Sequence, residues 1–230
     1  MFLSKPTNRY QAFTIHLAIS LVIFLILLGL IVFSWYPGVF INMGGVHGIK
    51  IVAGVDLVLG PLLTLIVFDQ KKKSLVFDLA VIALIQVSAL AAGTYFVHQE
   101  RPVVQIVADD GLHILTISDF KLFDKPLKPL GDIDDSLPAK IYLNQPKTDA
   151  EIALTKSIAG FFGEPIVYSQ NLYIPLDKAH QDGLNERLER FTFDETLNCY
   201  WMPTISAHYH GDSCVSIKHG AIKLKNNSSV

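Results

Sequence analysis

Charged side chains are scarce in this chain. Asp, Glu, Lys and Arg make up 17% of the 230 residues, while half of the residues are apolar. An ordinary soluble domain carries about 25% charge. The shortage excludes a disordered chain and a charge-rich coiled coil, and with 15 glycines the sequence is no collagen-like repeat. The formal net charge of −2 gives no basic field to collect nucleic acid, so no nucleic-acid partner is expected. The familiar catalytic signatures are missing too. There is no nucleophile elbow, Walker loop, dinucleotide fingerprint or zinc-protease helix. No cofactor is implied, and the chain reads as a non-enzyme.

What charge there is falls unevenly. Residues 1–98 hold six basic and three acidic residues, and residues 99–230 hold thirteen and eighteen. The first region reads as a membrane region and the second as a mildly acidic α+β domain, with the boundary near Gln99-Glu100-Arg101-Pro102.

Candidate spans lie near 13–36, 50–68 and 76–97. Residues 13–36 contain no Asp, Glu, Lys or Arg. About 20 apolar residues in a helix cross the hydrocarbon layer. A signal peptide would need an apolar run of only about 7–15 residues and a small-residue cleavage site. Here Ser34-Trp35-Tyr36-Pro37-Gly38 follows a longer run, and Trp35 and Tyr36 suit the aromatic belt of an interface. The runs 51–68 and 79–97 are interrupted mainly by Asp56 and Gln86. Three such segments in so short a chain predict a three-helix transmembrane bundle. Lys5, Arg9 and the Lys71-Lys72-Lys73 loop place the N-terminus and the second connection in the cytoplasm by the positive-inside rule, and the third span then exports the C-terminal domain.

Asp56 is the least expected residue. A carboxylate in mid-span costs roughly 2.5–3.5 kcal/mol on insertion scales. Gly60 lies one turn on along the same face, and Pro61 removes a helix hydrogen bond and favours a kink. Gln86 sits at mid-span in the third helix. Three readings stand: a neutral Asp56–Gln86 clamp, a contact with a transmembrane partner, and proton or ion conduction, which no further ionisable groups support. Ala89 and Gly93, with Ser88 and Ala92 beside them, allow close helix approach, within the bundle or against a partner's helix.

After Pro102 the pattern becomes that of a small α+β module. Val103–Ala108 and Leu112–Ile117 read as strands joined by Asp109-Asp110-Gly111. Phe120–Ser136 reads as a surface loop and Lys140–Leu143 as a strand. Thr148-Asp149-Ala150-Glu151 fits a capping box opening a helix to Phe162. Ile166–Tyr168 reads as a short strand and Asp177–Phe191 as a helix. Trp201–Tyr209, Ser213–Lys218 and Ala221–Lys225 read as strands around turns at Gly211 and Gly220.

Cys199 and Cys214 are the only cysteines. An oxidising compartment favours a disulfide between them, although a simple hairpin at Gly211 would set Cys214 opposite a residue near Tyr209. His208, His210 and His219 with the two cysteines match no familiar zinc spacing. Asp132, Asp134 and Asp135 form an incomplete calcium loop. No metal is expected at either place.

The stretch Gly48–Phe68, the Lys-Ser-Leu-Val-Phe-Asp-Leu-Ala start of the third span and Gln99-Glu100-Arg101-Pro102-Val103 resemble the type IV pilin accessory proteins of the TfpX/TfpZ and FimB kind, from Gram-negative bacteria. Ala12-Phe13-x-Ile15-His16-Leu17, Trp35-Tyr36-Pro37-Gly38 and a late Trp201-x-Pro203 fit as well. The resemblance is specific over about residues 1–105. It implies a multi-pass inner-membrane protein, with its C-terminal domain in the periplasm, that assists assembly or surface display of a cognate type IV pilin without catalysis. No prepilin leader occurs in the sequence, so the likeness is to an accessory factor rather than a pilin. Two alternatives remain: a membrane-bound enzyme modifying pilin or a lipid-linked sugar, with His98, Glu100 and Arg101 as its only visible polar cluster, and a periplasmic sensor.

Overall fold

In the computed structural model, residues 6–144, 153, 165–181 and 184–225 are described. The chain divides into two compact units, Met1–Gln99 and Glu100–Val230.

The first unit holds three long helices: α1 (Arg9–Trp35), α2 (Gly45–Val67) and α3 (Leu75–Gln99), of 27, 23 and 25 residues. At about 1.5 Å per residue each exceeds the roughly 30 Å of a bilayer's hydrocarbon core. All three are long and apolar enough to cross a membrane. Helix α1 begins at Arg9, four residues before the apolar run, because Asn8 Oδ1 accepts the Gln11 backbone N–H at 2.8 Å and Gln11 Oε1 accepts that of Thr7 at 2.8 Å. It ends in a wide turn over Ile31–Trp35, with Tyr36 N–H bonded to the Ile31 carbonyl at 2.8 Å. Pro37 then opens a short 3₁₀ turn, Gly38–Met43, leading to α2.

Helix α2 is the centre of this unit. In its most apolar stretch 28% of the residues are buried, against 11% in the other two helices, and α1 and α3 pack on α2 rather than on each other. Two glycines permit the approach. A Cβ at Gly48 would lie 2.8 Å from the Val97 methyls of α3, and a Cβ at Gly60 would overlap the Gln86 side-chain amide. Residues Gly54–Leu59 form a π-turn within α2, immediately before Gly60-Pro61. Pro61 has no N–H for the Leu57 carbonyl, and the widened turn absorbs that loss inside the helix. The outward faces carry Ile26, Phe33, Val58, Ile66, Leu84 and Phe96, all exposed. Apolar surface this extensive is what a lipid-facing helix presents.

The second unit is one mixed sheet with helices. Its strands are β1 (Pro102–Ala108), β2 (Gly111–Thr116), β3 (Ala139–Leu143), β4 (Tyr173–Pro175), β5 (Thr192–Asp194), β6 (Cys199–Ile205), β7 (His210–Val215) and β8 (Ile222–Leu224). The order is β4-β3-β1-β2-β6-β7-β8, with β5 beside the first half of β6. β1 runs parallel to β3 and β2 parallel to β6; the other pairs are antiparallel. Every residue of β1 is buried, as befits a central strand covered on both faces. On one face Val104, Ile106, Ile141, Leu143, Phe120 and Tyr168 share a core.

Several sequence expectations need correction here. Phe120–Ser136 is not simply a surface loop. Thr116 and Asp119 form a capping box, with Thr116 N–H on Asp119 Oδ2 at 2.7 Å, and start α4 (Ile117–Leu122). Its Phe120 is fully buried, a contribution of about 1.5–3 kcal/mol. A second short helix, α5 (Lys128–Ile133), buries Leu130. Ile166–Tyr168 is a 3₁₀ turn after Pro165 rather than a strand. The expected helix over Asp177–Phe191 is instead α6 (Leu176–Gln181), followed by a 3₁₀ turn over Leu184–Leu188. The helix expected from the Thr148 capping box lies, but for Ala153, outside the described residues.

The C-terminal hairpin also turns earlier than expected. β6 ends at Ile205, and the Ser206 hydroxyl accepts the Tyr209 N–H at 2.9 Å and donates to the Tyr209 carbonyl at 3.1 Å, closing the reversal over 206–209. Gly211 therefore lies within β7, paired with Thr204, and Cys214 faces Trp201. Cys199 is then one pleat away on the same face, 5.4 Å from Cys214 between Cα atoms, and the two are joined as a disulfide.

Candidate functional site

The polar side chains of the helical unit converge on one groove. Asp56 is the middle residue of α2 and Gln86 lies at the middle of α3, so both sit near one level. The π-turn carries Asp56, and a π-turn within a helix re-aims the side chains it holds. Asp56 is 5% exposed, Gln86 8%, Ser20 2% and Thr64 4%. Ser20 of α1 donates to Asp56 Oδ1 at 3.2 Å, and His16 Nδ1 lies 2.6 Å from Thr64 Oγ1. These four, with Gln86, line a cavity of about 380 Å³ whose remaining walls are apolar.

The expected Asp56–Gln86 hydrogen bond is not formed. Asp56 uses one oxygen for Ser20, while Asp56 Oδ2 and Gln86 Nε2 are buried without a hydrogen-bond partner among the described residues. Gln86 instead rests its amide against Gly60, in space that any larger residue would fill. Pro61 is buried beside them. Gly48 and Gly60 of α2 face α3 with no room for a Cβ. A Cβ on Gly93 would meet Ile51 only at an ordinary 4.0 Å. Ala89 and Gly93 are half-buried, and Ser88 and Ala92 are exposed.

Sequence reasoning passed over Ser20 and Thr64, and named His16 only within the Ala12–Leu17 stretch of the family resemblance. The available signal was spacing: His16 and Ser20 are four apart on α1, hence on one face. At the far end of this unit the Tyr36 hydroxyl donates to the Val97 carbonyl at 2.9 Å, and Trp35 meets the His98 ring edge-on at 5.0 Å.

In the second unit the polar features are dispersed. Glu100 accepts from Ser118 at 2.7 Å and lies 3.2 Å from His208 Nε2. His208 lies in the turn before β7 and His210 opens that strand, so no single strand carries both. With both cysteines oxidised, the zinc grouping is not assembled, and among the described residues no group of three His, Cys, Asp or Glu side chains converges for a metal.

The acidic stretch has a structural use. Asp134 takes the Ser136 and Lys140 backbone N–H groups at 2.9 and 2.6 Å. Burial alone would raise its pKa, but these bonds and the Ser136 hydroxyl outweigh burial and hold the carboxyl below the usual range. Asp132 and Asp135 are exposed beside it. An open cleft of about 670 Å³ near them mixes Asp134 and Asp177 with Lys140, Lys178 and Lys218. At the other end of the sheet, Arg187 donates to the Tyr142 hydroxyl at 3.0 Å and Arg190 to the Asp109 carbonyl at 2.6 Å. The Tyr142 phenol is raised, first by burial. Hydrogen bonding to His113 holds the Asp110 carboxyl low.

Three membrane-length apolar helices with a polar, partly unpaired centre, followed by a mixed α+β unit, are the features of a membrane protein with an added α+β unit. The chain belongs to the family of the Dichelobacter nodosus fimbrial assembly proteins. It is 36% identical over 115 residues to the "Fimbrial assembly protein, serogroups C1 and C2", covering 88% of that protein and 49% of this chain. It is 36% identical to the serogroup E1 protein and 35% to the serogroup I protein, again over 115 residues. The chain spans about half the length of those two, 45% of each. No family profile matches, and no solved structure matches.

Proposed function

We propose that this protein is a membrane-embedded, non-catalytic accessory factor for the assembly or surface display of type IV fimbriae, of the TfpX/TfpZ and FimB kind. The observation that carries this reading is the 36% identity to a protein named for fimbrial assembly, over 88% of that protein's length. The three apolar helices support a membrane setting.

The reading includes a topology. Lys5, Arg9 and Lys71–Lys73 favour a cytoplasmic N-terminus and a cytoplasmic second connection, hence a periplasmic second unit. The Cys199–Cys214 disulfide suits such an oxidising compartment. The partner is the cognate pilin, held in the inner membrane by its own helix with a globular head outside. A protein with a membrane unit and a periplasmic unit contacts both parts, and two weak contacts on one tethered partner reinforce each other through effective concentration.

The test is a clean deletion. Surface fimbriae and twitching should fall while pilin is still synthesised, and the intact gene should restore both. Unchanged fimbriation and twitching in the deletion strain refute the role. Full restoration by the second unit alone, on an unrelated signal sequence, would refute the two-contact scheme and keep the role.

A further inference from the structure

The groove between α1 and α3 has a shape that the three helices do not fill. α1 and α3 meet at one end, through Tyr36–Val97 and Trp35–His98, and pack on α2 rather than on each other elsewhere. Toward their N-terminal halves the space between them opens. Its walls run from Ala12 to Ile23 on α1 and from Leu79 to Leu90 on α3. Each stretch covers about 16 Å, or three helical turns. The floor is α2, with Asp56 in it.

Two buried polar atoms on this groove lack partners: Asp56 Oδ2, an acceptor when the acid is ionised, and Gln86 Nε2, a donor. Buried polar groups are paired in almost all proteins, and unpaired ones at mid-span mark a contact still to be made. A lipid acyl chain has no polar group at that depth. One water occupies about 30 Å³, a small part of the roughly 380 Å³ present. The walls flanking the polar floor are otherwise apolar, with Ile19 and Val87 exposed on opposite sides. An elongated apolar groove with a donor and an acceptor at its middle is complementary to one helix. That helix must be apolar along its length and bear one side chain that both donates and accepts.

We propose that the groove between α1 and α3 receives a transmembrane helix of a separate protein, which places an amide, hydroxyl or carboxylic acid side chain between Asp56 and Gln86. The identity of that protein as the fimbrial subunit rests on the function proposed above; the groove and its chemistry do not. Gly60 leaves the space on α2 that the Gln86 amide occupies, and Ser20 fixes the orientation of Asp56 by donating to its other oxygen.

Photo-crosslinking in intact fimbriated cells tests this. A photoreactive residue at Ile19 or Val87 should join the helix of the fimbrial subunit, mapped by mass spectrometry. The same residue at Ile26 or Ile85, outside the groove, should not. Asp56→Leu with Gln86→Leu should cut the Ile19 adduct about tenfold at equal abundance, the size of two intramembrane hydrogen bonds. Should that double variant fail to accumulate, Gln86→Met alone serves, with a two- to fivefold drop expected, roughly one such bond. Adducts only with lipid or a second copy of this chain overturn the proposal, as do equal yields at groove and control positions or no response to the substitutions. Loss of fimbriae on deletion, with no groove adduct to the subunit, would sink the groove and leave the assembly role standing. A groove adduct to a different membrane protein, sensitive to Asp56 and Gln86, would keep the groove and overturn the subunit as its occupant.

Discussion

The Gly60–Gln86 contact allows a sharp test of helix register. A Cβ at position 60 would overlap the Gln86 amide, so Gly60→Ala forces Gln86 out of its place or the helices apart. Overpacking of this kind costs about 1–3 kcal/mol. Gln86→Ala alone removes an amide whose Nε2 has no partner among the described residues, so only packing is lost, at about 1 kcal/mol. In the double variant the clash has no counterpart, and the second substitution adds almost nothing to the first. The coupling energy should therefore equal nearly the whole cost of Gly60→Ala, about 1–3 kcal/mol, inside the range seen for residues in contact. The assay is unfolding of the full chain in micelles by a denaturing detergent, followed by Trp35 fluorescence with Trp201→Phe as the common background. Steady-state abundance in cells gives a second reading. Strictly additive costs would show that positions 60 and 86 do not touch, and the placement of Gln86 at the groove would fall with that contact.

Three further outcomes follow from other features. Asp134→Ala should lower the stability of the second unit by about 2 kcal/mol, since it removes a carboxylate receiving two backbone N–H groups. Trp201 fluorescence in a Trp35→Phe background reads this. Because the folded-state pKa of Asp134 is depressed, its contribution is present above the ordinary carboxyl pKa of about 3.9 and is lost as pH falls through the lower folded value; a wild-type and Asp134→Ala difference that persists undiminished at the acid end contradicts this. Cys199→Ser with Cys214→Ser should cost about 3 kcal/mol from loop closure across a separation of 15 residues, and two freely alkylated thiols in non-reduced protein from cells would refute the bond itself. In that cysteine-free background, Ser74→Cys should resist a membrane-impermeant thiol reagent while Asn144→Cys reacts; labelling at 74 in intact inner membranes would overturn the topology.

The helices were legible because their cause is local: a span needs only a long apolar run, and the runs around 13–36, 50–68 and 76–97 supply it. Their true starts depended on side-chain caps, such as Asn8 for α1, that lie outside the apolar stretch. The β1–β2 hairpin was legible for the same reason, since Asp109-Asp110-Gly111 joins two apolar strands. β4 and β5 were not, because, unlike the equally short β8 after the Gly220 turn, neither is marked by a flanking glycine turn. The α4 helix was hidden by its composition of Asp, Lys and Phe, although the Thr116–Asp119 cap was in view. In the groove, Asp56, Gly60 and Gln86 stood out singly. Their grouping with Ser20, His16 and Thr64 depends on how three helices are rotated about their axes, which periodicity within nearly all-apolar helices does not encode.

The pairing of β2 with β6 has a consequence for synthesis. Leu112 and His113 find their parallel partners at Thr204 and Ile205, about 90 residues later in the chain. At roughly 5–20 residues per second the β1–β2 hairpin waits several seconds or more with one edge open before its neighbour exists. The β6–β7 hairpin closes locally and can form before it docks, so the sheet is completed by joining two preformed halves, and a premature stop anywhere before Ile205 leaves the first half with an exposed, pairing-competent edge.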